Sequence, residues 1–133
     1  MLFKCRRQET PWEVVESYSV DPVPMFEDDN DLDVKVISKS LLGRTYTFDL
    51  RTRRSTKDIT DALMFARRQF IEDIKQTEYN VLLCEGWRAI LYRRGKQHRV
   101  EIRYTGKPAR VTGVAKIHQD PPPPYLGVLQ SSI

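Results

Sequence analysis

The 133-residue chain has no long apolar run, only two cysteines and only two histidines, and its six glycines never gather into a loop. No stretch approaches the roughly 18 apolar residues of a membrane-spanning helix. The segment Met1-Leu2-Phe3-Lys4-Cys5-Arg6-Arg7 lacks the apolar centre of a secretory signal, so a cytosolic protein is expected. Cys5 and Cys84 lie far apart, and His98 and His118 do not give them a ligand-type spacing, which predicts reduced thiols and no metal. Cys84 falls in an apolar run and reads as a small core residue. Leu2 stands where N-myristoylation needs glycine; Cys5, beside Leu2, Phe3 and two arginines, reads as an unmodified thiol or as a palmitoylated one. A serine or cysteine nucleophile needs a histidine nearby, and His98 beside a charged turn and His118 in the tail offer none. Gly86, Gly95 and Gly106 read as turn glycines rather than a phosphate loop, and Glu72 and Asp73 as solvated helix charge. The expectation is a protein with no catalytic residue, cofactor or metal.

An apolar fraction of 40% and a charged fraction of 30% suit one globular domain with tails. Net charge is +4, but the two signs are segregated along the chain. From Glu9 to Asp33 every charged side chain is a carboxylate. From Arg88 to Arg110 the cations Arg88, Arg93, Arg94, Lys96, Arg99, Arg103, Lys107 and Arg110 face Glu101 alone. Such a molecule can fold its acidic arm onto its own basic face, or bring opposite faces of two copies together.

Pro22, Pro24 and the acidic cluster Glu27–Asp31 predict an extended arm over residues 1–31. The folded core is expected over 32–114. Leu32, Val34 and Val36 alternate with Asp33 and Lys35, and Tyr46, Phe48 and Leu50 with Thr45, Thr47 and Asp49, predicting two strands in a hairpin turned near Gly43. Ser55 and Asp58 resemble a capping box, and Ile59, Leu63, Ala66, Phe70 and Ile74 recur at helical spacing to about Thr77. Met64, Phe65 and Ile71 widen this stripe, and Arg67 and Arg68 beside it read as solvated. Three more strands are predicted, Tyr79–Cys84, Trp87–Tyr92 and Arg99–Tyr104, with turns at Glu85-Gly86, Arg93–Lys96 and Thr105–Pro108 and a further short strand near 110–114. The fold class is α+β: an antiparallel sheet of about five strands crossed by one long helix, in the order ββαβββ.

If Val100, Ile102 and Tyr104 face the core, Arg99, Glu101 and Arg103 share the other face, with Arg93, Arg94 and Lys96 at the hairpin tip. Arg51, Arg53 and Arg54 extend the patch in sequence. That ribbon suits either nucleic-acid phosphate or the anionic headgroups of a cytoplasmic membrane; an Arg-rich face also keeps a small sheet soluble.

Residues 115–133 form a proline-rich tail in which Pro121–Pro124 set a polyproline II rod and Tyr125 ends it. Pro122, Pro123 and Tyr125 make a PPxY peptide, the ligand of WW domains. Tyr125–Val128 also fits a YxxΦ sorting peptide, and Gln130–Ile133 a PDZ ligand, while Leu126, Val128, Leu129 and Ile133 are apolar enough to dock on the domain itself.

On Pro122–Tyr125 and its small basic character, the chain resembles the matrix proteins of enveloped RNA viruses, notably the rhabdovirus group. The resemblance implies recruitment of HECT-type ubiquitin ligases, a basic domain on the inner membrane surface or in virions, and self-association. In those families the motif commonly precedes the folded domain and the arm is basic; here the motif follows and the arm is acidic. The leading expectation is a non-enzymatic structural or adaptor protein that binds an anionic surface and presents the tail to WW-domain proteins. The alternative is a small nucleic-acid-binding protein using residues 88–110.

Overall fold

The structure, a computed structural model, describes residues 10–26, 33–50, 56–112 and 121–129. In chain order its elements are β1 (Glu13–Pro24), β2 (Asp33–Ile37), β3 (Leu42–Leu50), α1 (Thr56–Lys75), β4 (Val81–Arg94), β5 (Gln97–Thr112) and a 3₁₀ turn at Leu126–Leu129. The protein is α+β, a 5-stranded antiparallel sheet with one helix against it. Its scaffold is the long β4–β5 hairpin. Gly95 and Lys96 alone reverse the chain, and the positive φ of 61° at Gly95, without one at Lys96, is the II′ geometry that matches strand twist.

The structure departs from several sequence expectations. The order of elements is βββαββ rather than ββαβββ. Tyr79–Cys84 and Trp87–Tyr92 are not separate strands: β4 runs straight through Glu85-Gly86, with a bulge between Leu82 and Glu85 absorbing the extra residue. Gly86 is there for close approach rather than a turn, since a Cβ would sit 2.6 Å from the backbone nitrogen of Pro22 and 2.7 Å from the carbonyl oxygen of Val20. Likewise Gly43 lies within β3 and Gly106 within β5.

The expected hairpin between the second and third strands is also absent. β2 pairs with Ala109–Thr112 and β3 with His98–Gly106, so both run antiparallel to β5, end to end along one edge. The Ser38 amide donates to the Pro108 carbonyl at 2.9 Å, carrying the ladder across the break. At the opposite edge lies β1, inside the segment read as an arm. Prolines are tolerated there because an edge strand has one side without ladder bonds, and Pro22 falls at the irregularity between Val20 and Val23.

The helix is where its spacing places it. Ile59, Leu63, Ala66, Phe70 and Ile74 are buried against Trp87, Ala89 and Leu91 of β4 and Val100, Ile102 and Tyr104 of β5. Ala62 and Ala66 keep the contact face low, so helix and sheet approach closely. Asp58 in the first turn and Lys75 in the last oppose the helix dipole; the Ser55 half of the capping box lies outside the described residues. A second apolar cluster of Val81, Ala109 and Val111, with Val34 and Leu83, closes the far end of the sheet. There the Asn80 side chain donates to the Val111 carbonyl and accepts from its amide, both at 2.9 Å, in place of a ladder partner.

Candidate basic face and docking tail

Strand alternation settles which cations meet. With Val100, Ile102 and Tyr104 at most 1% exposed under the helix, Arg99, Glu101 and Arg103 lie on the opposite face of β5. Register then builds cross-strand rows there: Arg88–Arg103–Thr45, Ile90–Glu101–Thr47 and Tyr92–Arg99–Asp49. Arg94 shares this face and Lys107 continues it, with Lys96 at the hairpin tip. Arg93 and Arg110, by the same alternation, stand on the other side of the sheet, so the predicted cations divide between two faces.

Several of these charges already have partners. Arg99 pairs with Asp49 at 2.9 Å and Arg93 with Glu13 at 3.3 Å. The guanidinium carbons of Arg94 and Arg99 lie 4.5 and 4.4 Å from the centre of the Trp12 ring, so one indole engages both cations. Burial, and next the neighbouring Glu101, hold the Tyr92 hydroxyl above its ordinary pKa. Arg88 and Arg103 differ. They are directly opposite on neighbouring strands, both are exposed, and neither has an ion pair among the described residues; Arg103 only donates to the Thr45 hydroxyl at 3.2 Å. Like charges so placed repel, which costs stability unless an anion lies over them.

The tail packs on its own domain. Leu129 is 1% exposed within the main core, Leu126 packs beside it, and Pro123 is buried. The Trp87 indole Nε1–H donates to the Pro124 carbonyl at 2.8 Å. Between helix and tail is a pocket of about 310 Å³ lined by Met64, Arg67, Arg68, Pro121, Pro122 and Pro123. Tyr125 is 65% exposed with φ at 56°, and its carbonyl accepts from the Val128 amide at 3.1 Å. A left-handed φ is unfavourable for tyrosine, by roughly 1–3 kcal/mol, and the docking of Leu126 and Leu129 holds it there. Of the three PPxY residues, Pro122 and Tyr125 face solvent and Pro123 does not.

Beneath this seam lies a polar cluster that sequence reading missed. Arg67 is 6% exposed, not solvated as expected, and its Nε and an Nη donate to the two Glu85 oxygens at 2.6 and 2.9 Å. Glu85, read as a turn residue, is 1% exposed and also accepts from the Tyr104 hydroxyl. Burial, and then the Glu85 carboxylate, push the Tyr104 hydroxyl far above its ordinary pKa. The signal was present in sequence: Arg67 stands four residues after Leu63 and three before Phe70, inside the apolar stripe. The group joins helix, β4 and β5, which is a structural role.

Cys84 is half-buried in β4 opposite Pro24 rather than a core residue. Cys5, the arginines at 51, 53 and 54, His118 and the PDZ-like terminus at 130–133 lie outside the described residues. Among the described residues, no group of three His, Cys, Asp or Glu could hold a metal ion, and no helix is long and apolar enough to cross a membrane. No family model, no curated protein and no solved structure matches this chain.

Proposed function

We propose that the protein is a non-enzymatic adaptor whose open sheet face lies on an anionic membrane surface, while Pro122, Pro123 and Tyr125 recruit WW-domain proteins. The observation carrying the reading is the exposed Arg88–Arg103 pair, opposed across two strands with no ion pair among the described residues. An anionic headgroup over the pair turns that repulsion into two attractions, each of about 1 kcal/mol. Self-association, the third element of the reading, has two sheet edges available to it, β1 on one side and β2 with β3 on the other.

Nucleic acid is the second reading, favoured by Trp12 lying against Arg94 and Arg99 on the face that also carries Tyr92. Aromatic rings among guanidinium groups suit stacked bases. Co-sedimentation with phosphatidylserine vesicles beside a gel shift with single-stranded RNA, both across a salt series, separates the two. Vesicle binding that falls roughly thirtyfold in Arg88→Gln/Arg103→Gln supports the adaptor. RNA binding instead, with its log–log salt slope reduced by about 0.7 per lost contact, favours the second reading.

A further inference from the structure

We propose that the domain carries its own proline-peptide groove, formed by Trp87 and α1, which holds the PPxY tail in cis and competes with a WW domain for the same residues. This rests on the docking-tail reading above and adds its regulation.

A WW domain requires the prolines and tyrosine of its ligand on one continuous polyproline II rod with the proline faces open. The docked tail meets neither requirement. Pro123 is buried against the domain. Tyr125 has φ at 56° where polyproline II needs about −75°, so the chain turns into its 3₁₀ segment just where the rod must continue. The exposed Tyr125 ring is therefore visible to a partner, but the motif around it is in the wrong shape.

The groove itself has the chemistry of a polyproline site. The Trp87 indole meets the end of the proline run: its only donor, Nε1–H, bonds the Pro124 carbonyl at 2.8 Å, a proline oxygen that a rod leaves without an internal partner, while Met64, Arg67 and Arg68 of α1 line a pocket with Pro121, Pro122 and Pro123. Leu129 anchors the far end, 1% exposed. Full burial of a leucine favours the closed form by a factor of about 10 to 100, and the indole hydrogen bond by about fivefold more. Binding to a WW domain requires release, so affinity is multiplied by the fraction of tails that are open.

The test is fluorescence anisotropy with a labelled, isolated WW domain of a HECT-type ubiquitin ligase. It is titrated with the full chain, with Leu129→Ala, with Trp87→Phe, and with a synthetic peptide of residues 119–127. The peptide is expected to bind, and the full chain at least about tenfold more weakly. Leu129→Ala should approach the peptide, and Trp87→Phe should gain about fivefold by losing the donor while keeping an aromatic ring. Circular dichroism checks that each variant is folded, and Trp87→Phe decides if Leu129→Ala is not. Equal binding by peptide and full chain overturns the closed tail while leaving the docking motif intact. A weak full chain whose variants stay equally weak also overturns it. No binding by the peptide overturns the docking motif and the competition together.

Discussion

Arg67 and Glu85 are a charged pair taken almost wholly out of water, so removing one partner is far worse than removing both. Arg67→Met alone leaves the Glu85 carboxylate buried with, among the described residues, only the Tyr104 hydroxyl against it. The expected loss is about 3–5 kcal/mol, read from the midpoint of urea unfolding. Replacing the whole group, with Arg67→Met, Glu85→Leu and Tyr104→Phe, should recover most of that loss, because a buried ion pair is often exchanged for apolar packing at little net cost. A single Arg67→Met costing under about 1 kcal/mol would contradict the described geometry. The same residues set a pH response. The folded state keeps the Tyr104 proton, chiefly through burial and then through Glu85, after the unfolded chain has begun to lose its own near the ordinary value of 10.0. Stability is therefore fully present below pH 10 and falls as the pH rises above it, by up to about 1.4 kcal/mol per pH unit from this group. Tyr46 is also shifted upward, by burial and then by its bond to Asp73, and adds to the loss more weakly because it is more exposed to solvent. Unfolding curves from pH 8 to 11 should show the decline, and Tyr104→Phe should flatten it.

Among the elements, α1 was the most legible, since Ile59, Leu63, Ala66, Phe70 and Ile74 carry their period without help from the rest of the chain. Strand existence was legible in β5 and in most of β4, where alternation marks the buried side. Strand ends were not. A glycine in a turn and a glycine under a crossing backbone look alike in sequence, and of Gly43, Gly86, Gly95 and Gly106 only Gly95 is the former. Gly86→Ala separates these roles. The added Cβ meets backbone of β1 at Pro22 and Val20 rather than a side chain that can swing away, so β1 must move. A loss of about 1–3 kcal/mol in thermal unfolding is expected, with faster proteolysis in β1. An unchanged melting temperature would mean that β1 does not lie where it is described. The edge strand itself was hidden by Pro22, Pro24 and a surplus of carboxylates, features that suit an arm and are equally admissible at a sheet edge.

At the scale of the whole molecule, a cluster of cations in sequence is not a cluster in space. Neighbours along a strand face opposite ways, which parts Arg93 from Arg94 and Arg110 from Lys107. What neutralises the basic hairpin also comes from far away in the chain: Glu13 reaches Arg93 across 80 positions, and Asp49 reaches Arg99 across 50. Trp12 falls within the segment 1–31 read as an arm, and its place against Arg94 and Arg99 depends on β1 forming. The tail was half legible, because four prolines and a tyrosine declare a peptide ligand while the packing of Leu129 is a tertiary fact. After this internal pairing, the exposed charge left on the open face is centred on Arg88 and Arg103. The adaptor reading requires that position, and not mere net charge, to matter. The most direct test is co-sedimentation with phosphatidylserine vesicles, comparing Arg88→Gln/Arg103→Gln with Lys57→Gln/Lys75→Gln, which removes the same charge from the exposed side of the helix. The arginine variant is expected to bind roughly thirtyfold more weakly and the lysine variant to change by no more than a few-fold. Equal losses in the two, or none in the first, would contradict the adaptor reading.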